Sequence, residues 1–452
     1  MIKGNWLRGT LTGIAVLCSG ITSHAQNAPS CLPFDNTLKL AASNDPAVRT
    51  ARANLERAEA DLQEARSLRR PQLSTFTRFG AGDTGLVDSQ IENQFGLRAS
   101  QRIIDFGDSR LAREAAREDI AAQESLVLDA RGSAALDAGM AFIDWLEATD
   151  QLVVTEERID YFTRQLNAID TLLPSGGATR LERAEVAAEQ ASAEALRFEF
   201  EFRRDQAATR LAISTGDRGH PCGAEASIAE NTAEGLDSDS LINFISDAVS
   251  INPEIEALRR TEASLDATAR REARGRLPVI DVVGIASYGS QNFDGDFDLQ
   301  TRIGVNVSVP LFTGNALVAQ RRRASAQAAR ASGELASARR QLREAIEVTW
   351  RRGLLLEAQT ERRKAINGFK SDEFAAAEIE YEQGLRTLPA LTETRLELEE
   401  AALAEIASRF DLQRERLRLL ALSGRLSGVV ADEASGVILS GEAYRPQTNL
   451  DM

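Results

Sequence analysis

The stretch TRIGVNVSVPLFTG (residues 301–314) decides the fold of this chain. Small or polar residues alternate there with apolar ones, and this period of two predicts a strand with two unlike faces. The apolar positions are Ile303, Val305, Val307 and Val309. The stretch ends at Gly314, after which a long run rich in Ala, Arg and Glu begins. It therefore predicts a strand that leads through a glycine turn into a helix.

A second copy of this arrangement, QFGLRASQRIIDFG (residues 94–107), lies earlier in the chain. Its last residue, Gly107, precedes Gly314 by 207 positions (314 − 107). Two unrelated helical domains would not keep their helix breakers in register, so the pattern indicates a tandem duplication. The prolines with the same offset are Pro46 with Pro253 and Pro71 with Pro278. We expect a first structural repeat over residues 26–222 and a second over 223–423.

Each repeat has the same order of predicted elements: a helix that begins and ends at a proline, two strands, and very long helices. Residues 108–173 contain no proline, which allows a rod of about 100 Å. Both halves also carry a heptad seam, which is typical of long helices packed side by side. The seam residues are Leu152, Ile159, Phe162, Leu166, Ile169 and Leu173 in the first half, and Leu396, Leu403, Ile406, Phe410, Leu417 and Leu420 in the second.

The alternating strands admit two interpretations. Strands of about ten residues with one apolar and one polar face suit a membrane barrel with a wet lumen, but the edge of a soluble sheet alternates in the same way. If the strands lie in lipid, four of them cannot close a barrel, because the smallest membrane barrels need about eight. Several chains would then have to share one barrel.

The two ends of the chain carry signals of another kind. Lys3 and Arg8 precede an apolar stretch and then small residues before Gln26, which predicts a signal peptide over residues 1–25 and an exported protein. No later stretch approaches the roughly 18 apolar residues of a membrane-spanning helix. The polar tail, residues 424–452, lacks periodicity, and we expect it to be disordered.

Composition argues against several function classes. The net charge is −15, or −17 once Lys3 and Arg8 are removed, and Arg alternates with Glu instead of forming a basic patch, so nucleic acid is not an expected partner. Once the signal peptide is removed, one histidine and two cysteines remain, which are too few for a His-based nucleophilic site or a zinc cluster, and no phosphate-binding glycine loop is present. We therefore expect no enzymatic activity, no cofactor and no metal.

Two cysteines, Cys31 and Cys222, remain after removal of the signal peptide. In an oxidising compartment an even pair usually forms a disulfide. The loop it would close is long, so the chain-entropy model gives about 5 kcal/mol of stabilisation. Two free buried thiols are the alternative.

The helix starts, the prolines that end those helices, and the Asp-Phe-Gly and Phe-Thr-Gly turns resemble TolC-type outer-membrane channels from about Leu38 to Leu422. The resemblance implies a mainly α protomer built as a duplicated β-strand/long-helix unit. It further implies a homotrimer in the cell outer membrane, in which a twelve-stranded β-barrel continues into an α-helical barrel across the periplasm. The implied partners are a periplasmic adaptor protein, an inner-membrane transporter and outer-membrane lipid.

The resemblance also implies a periplasmic gate. Residues 381–387, YEQGLRT, are similar to the family stretch in which a tyrosine and an arginine tie the helices shut, so Tyr381 and Arg386 are candidate gate residues. The acidic partner in the first hairpin falls on Glu182. Of the family's two acidic ring positions, Glu393 occupies the second, whereas Ala390 occupies the first. A full cation-binding ring is therefore not expected.

The function implied is a passive exit duct of a tripartite export system, driven by an inner-membrane pump. Its cargo would be proteins, as in type I secretion, or small toxic molecules, and the Asp-Phe-Gly turn favours secretion. A secreted periplasmic coiled-coil scaffold without a pore is the alternative. That scaffold would explain the heptads and the acidity but not the paired strands in each half.

Overall fold

The computed structural model describes residues 31–82, 90–217, 219–222, 238–290 and 298–431. The predicted signal peptide lies outside the described residues, and so does the tail from residue 432 onward. None of the described helices is both long enough and apolar enough to cross a membrane. Within the same residues, no group of three or more His, Cys, Asp or Glu side chains could hold a metal ion.

Two series of elements follow each other along the chain. The first series is β1 (Cys31–Leu32), α1 (Phe34–Asn44), α2 (Pro46–Ser67), β2 (Gln72–Gly82), β3 (Gln90–Ile104), α3 (Asp108–Leu172), α4 (Arg180–Thr215) and β4 (His220–Pro221). The second series is α5 (Ser238–Ile251), α6 (Pro253–Glu272), β5 (Val279–Ser290), β6 (Asp298–Ser308), α7 (Ala316–Glu382), α8 (Leu388–Leu422) and α9 (Arg425–Ala431). The order α2, β2, β3, α3, α4 recurs as α6, β5, β6, α7, α8.

The two corresponding helices α2 and α6 begin in the same way. The Asp45 carboxylate accepts a hydrogen bond from the amide of Ala47 at 2.7 Å, and the Asn252 side chain accepts one from the amide of Ile255 at 3.1 Å. In each helix a proline occupies the first turn, where its missing N–H costs nothing. The sequence signal that opened each predicted repeat is therefore a helix cap.

The four long strands form one antiparallel sheet in the order β2-β3-β5-β6. The pairing of β3 with β5 joins the two repeats, and β2 and β6 are the two edges. Gly96 on β3 lies where a side chain would collide, because a Cβ there would stand 2.8 Å from the Ala286 carbonyl oxygen and from the Phe76 ring. The predicted apolar positions Ile303, Val305 and Val307 of β6, and Val309 just after it, are all exposed in the single chain.

The helices α3 and α7 are 65 and 67 residues long, so each spans about 100 Å. Helices α3 and α4 form one hairpin, and α7 and α8 form a second one. A core of buried residues joins α1, α3, α4, α8 and α9 near the middle of the molecule. Its largest members include Phe34, Phe142, Phe410 and Leu417.

The sequence predicts a disordered tail from residue 424, and the structure describes the first residues of that tail. Disorder from residue 424 is wrong for Arg425–Ala431, which form α9. Gly424 adopts a left-handed conformation with φ +73° and ends α8, which allows the chain to turn back. Leu426 is then buried in the central core. One well-placed leucine thus anchors a stretch whose composition alone resembles a loop.

The cysteine-bearing strands lie side by side. Strand β1 pairs in parallel with β4, Cys31 opposite His220, and the Cys222 amide donates to the Leu32 carbonyl at 3.2 Å. Cys222 is disulfide-bonded. The backbone pairing supports Cys31 as its partner, although the side chain of Cys31 lies outside the described part of the structure. The Cys31–Cys222 bridge therefore stays a prediction.

Candidate gate at the hairpin ends

The two helical hairpins end in similar turns. Between α3 and α4 the chain passes through a short 3-10 turn, Leu173–Ser175, to Gly176 with φ +75°. The turn between α7 and α8 contains Gly384 with φ +73°. A residue with a Cβ is strained in this left-handed region, which explains why the two glycines mark the hairpins in the sequence.

Arg386 links the two helices of the second hairpin to each other. Its Nε donates to Glu380 on α7 at 3.1 Å, and its Nη1 donates to the Thr394 hydroxyl on α8 at 2.8 Å. The Ala390 carbonyl accepts a further bond at 3.4 Å. Within one chain the predicted gate arginine therefore joins the two arms of its own hairpin. Its described bonds do not reach the first hairpin.

Tyr381 contributes to an apolar tip cluster that unites all four long helices. The tyrosine is half-buried and packs against buried residues of the cluster. Those residues are Tyr161, Phe162 and Ile169 of α3, Val186 of α4, Phe374 and Ala377 of α7, and Leu388 and Leu391 of α8. The Arg395 guanidinium stacks over both the Tyr161 ring and the Phe374 ring. Burial, with a smaller contribution from Glu378, raises the pKa of Tyr161 to about 12.

Glu182 caps its own helix. The Thr179 hydroxyl accepts from the Glu182 amide at 3.1 Å, and the Glu182 carboxylate accepts from the Thr179 amide at 2.8 Å. This reciprocal pair is a capping box, which satisfies two amide groups at the start of α4. The structure thus gives the predicted acidic gate partner a local role and does not bring it to Arg386 through any described bond.

Glu393 lies near the start of α8 and is exposed. Ala390, one turn earlier, is half-buried. A neighbouring contact across the hairpin turn, Arg183 with Asp170 at 2.6 Å, was not singled out from the sequence. That ion pair is exposed, and its hydrogen bond lowers the pKa of Asp170. It links α3 to α4 within the first hairpin.

A buried ion group, which sequence reasoning missed, connects three helices. Arg158 of α3 contacts Glu399 of α8 at 2.9 Å and Glu189 of α4 at 2.8 Å. The side chains of Arg158 and Glu399 are only 9% and 3% exposed. Burial raises the pKa of Glu399, and the attraction of Arg158 only partly opposes this shift.

The heptad seam predicted from sequence did not include this group. Thr155, Phe162 and Ile169 are buried at intervals of seven residues, so they occupy equivalent heptad positions. In the structure Arg158 is buried with them, three residues after Thr155 and four before Phe162, whereas the seam predicted from sequence has Ile159 at that level. A charged residue at a buried position requires a partner. The predicted seam therefore did not distinguish Arg158 from the many other Arg and Glu residues of the chain.

Further ion pairs follow the contact between α3 and α8. Arg414 contacts Asp144 at 3.1 Å and also contacts Glu147, and Arg409 contacts Asp150. These pairs are partly exposed, so each contributes roughly 0–1 kcal/mol. Together with the buried ion group and the apolar tip cluster, they hold the second hairpin against the first. Separation of the hairpins would have to break these contacts.

Comparison with known proteins agrees with this architecture. The family model "Outer membrane efflux protein" matches residues 37–217 and 244–425. The chain is 23% identical to the outer membrane efflux protein BepC of Brucella suis over 97% of this chain and 93% of that protein. It is 26% identical to the nickel and cobalt resistance protein CnrC of Cupriavidus metallidurans over 65% of this chain and 66% of that protein.

Solved structures share the fold. The CmeC outer membrane channel of Campylobacter jejuni superposes with a TM-score of 0.75 at 16% identity, over 90% of each chain. VceC of Vibrio cholerae superposes with a TM-score of 0.72 at 17% identity, over 86% of this chain and 96% of its own. The family match covers most of both repeats and favours a channel over the alternative of a scaffold without a pore. The chain belongs to the outer membrane efflux protein family and is an outer-membrane channel of tripartite efflux systems, with its helical tunnel in the periplasm.

Proposed function

We propose that three copies of this chain form a passive exit duct that an inner-membrane transporter loads through a periplasmic adaptor protein. The observation that carries the proposal is the four-stranded sheet, which is antiparallel throughout and has two unpaired edges, β2 and β6. An open edge presents unpaired backbone groups, which cannot be satisfied in lipid. Four strands are too few to close on themselves, and the three copies that the family resemblance implies supply twelve.

The closed state in this proposal depends on the hairpin ends. The apolar tip cluster and the buried ion group hold α7 and α8 against α3 and α4. Arg386 keeps the α7–α8 turn compact, and Tyr381 belongs to the surface that must separate. Opening then moves the second hairpin away from the first, and partner binding has to supply the free energy that breaks these contacts.

A conductance measurement tests the gate. The variant Arg386→Ala/Tyr381→Phe should raise single-channel conductance in planar bilayers, because the turn loses its bonds to Glu380 and Thr394. A matched control is Arg330→Ala, which removes an exposed α7 arginine paired with Glu334 four residues on. Equal conductance in the double variant and the control would exclude Tyr381 and Arg386 from the gate.

Small toxic solutes are the cargo that the comparisons favour over proteins. One relative is named for efflux and another for resistance to nickel and cobalt. A strain without this chain should become sensitive to dyes, detergents or metal ions and regain resistance on complementation. Unchanged resistance together with the loss of a secreted protein would favour type I secretion instead.

A further inference from the structure

A basic surface lies just below the sheet, at the start of α7. Three consecutive arginines, Arg321, Arg322 and Arg323, occupy the second turn of this helix and are all exposed. We call them the α7 arginine triplet. Consecutive helical residues are about 100° apart, so the three side chains spread over more than half of the helix circumference. At least one of them therefore points away from the rest of the molecule.

The triplet has no counter-charge among the residues that the structure describes. None of its members forms an ion pair or a hydrogen bond there, in contrast to the arginines at the corresponding junction of the first repeat and at the end of α6. Arg110 pairs with Glu114 at 3.8 Å, and Arg271 pairs with Asp108 at 2.9 Å. The chain as a whole carries a net charge of −15, so this junction is a basic region of an acidic protein.

The charges of the triplet are unfavourable to one another. Three adjacent positive charges repel, and the first turn of α7 contains no acidic residue that could offset them. An external anion near this turn would relieve the repulsion.

The residues before the triplet indicate which class of anion lies near it in the membrane. Strand β6 carries exposed apolar positions up to Val307, Val309 is exposed just after the strand, and Leu311 and Phe312 follow with 93% and 88% exposure. Along the chain an apolar band is thus followed by an aromatic residue and then by arginines. This is the order found where a protein leaves the hydrocarbon core and passes the headgroups of a bilayer. The triplet begins five residues into α7, about 8 Å along the helix.

We propose that the α7 arginine triplet binds the phosphate groups of anionic phospholipids in the periplasm-facing leaflet of the outer membrane. The proposal rests on the proposed function, because it requires the apolar face of β6 to lie in lipid. Guanidinium groups match phosphate in charge and geometry. In a trimer, three such triplets would form a basic collar at the junction between the sheet and the helices.

Lipid retention in mixed micelles tests this site. The full protein is purified in a non-ionic detergent and incubated with equal amounts of phosphatidylglycerol and phosphatidylcholine. It is then repurified, and the bound lipids are quantified by mass spectrometry. We expect preferential retention of phosphatidylglycerol, and high salt should reduce that preference.

The variant Arg321→Gln/Arg322→Gln/Arg323→Gln should lose at least about fivefold of this preference, since a single arginine near an anionic surface favours binding by about that factor. Glutamine keeps the helix propensity close to that of arginine, so the fold is preserved. The control Arg362→Gln/Arg363→Gln/Lys364→Gln removes the same charge from a lower part of α7 and should keep the preference.

An unchanged lipid ratio in the triplet variant would overturn the proposal. Dissociation of the variant into single chains would also overturn it. That result would show that in the unaltered protein the arginines bind a second copy of the chain. Planar-bilayer recordings distinguish a failure of the lipid site from a failure of the proposed function. Normal channels without any preference for phosphatidylglycerol refute only the lipid site, whereas the absence of channels refutes the proposed function.

Discussion

The Arg158 side chain extends from α3 and forms ion pairs with Glu189 of α4 and Glu399 of α8. It is almost fully buried. A buried ion pair contributes little net stability when intact, but removal of one partner leaves an uncompensated charge. All three charges of the group are therefore paired only when α3, α4 and α8 are correctly aligned. Misalignment of any of the three helices would leave a charge without its partner.

The variant Arg158→Met should destabilise the helical part by about 3 kcal/mol, because Glu399 stays buried without its cation. Addition of Glu399→Gln should recover part of that loss, since the second variant removes the orphaned charge. Thermal unfolding in detergent, followed by circular dichroism, measures both. If the double variant were less stable than Arg158→Met alone, the account of this group would be wrong.

Gly107 decides how β3 passes into α3. It has φ +92° and precedes the first residue of α3, and a Cβ there would collide with the Arg274 guanidinium. Gly107→Ala should therefore lower the unfolding temperature, by an amount equivalent to about 1–2 kcal/mol. Gly333→Ala, in open space within α7, should raise it slightly because alanine favours helix by about 1 kcal/mol. If both variants shifted the unfolding temperature in the same direction, this explanation of Gly107 would be wrong.

At the scale of the element, α4 depends on its first turn. Thr179→Ala should cost about 1 kcal/mol of local stability and speed amide exchange over residues 180–183, because the capping box is lost. Glu182→Gln keeps an acceptor for the Thr179 amide and should leave both exchange and channel conductance unchanged. A rise in conductance for Glu182→Gln would instead show that the Glu182 carboxylate helps to close the gate.

Element boundaries were predictable wherever a local residue fixes the backbone. The prolines at 46 and 253 and the glycines at 107 and 314 mark the starts of helices or turns in both sequence and structure. The partners of Arg386 were not predictable in this way. They depend on which side chains come together when two helix arms meet, and many carboxylates along α7 have the same local sequence context. Helix α9 was missed because a single buried leucine holds it.

At the scale of the whole molecule, the single chain leaves large apolar side chains uncovered. Some lie on the sheet, and others lie on the long helices, among them Phe198 and Phe202 of α4 and Phe369 of α7. Apolar surface of this extent is covered by lipid or by another protein surface. Duplication predicted the two-part architecture from sequence, and the open edges of the sheet indicate that several chains share one barrel, whereas the count of three rests on the resemblance to trimeric channels.

The most direct test of the account is the symmetry of the purified protein. Full protein extracted with detergent should appear in electron micrographs as a tapered tube with threefold symmetry, and its mass should equal three chains plus bound detergent. The helical part should extend about 100 Å, as the lengths of α3 and α7 require. A protein that stays monomeric and dissolves in buffer without detergent would contradict the account.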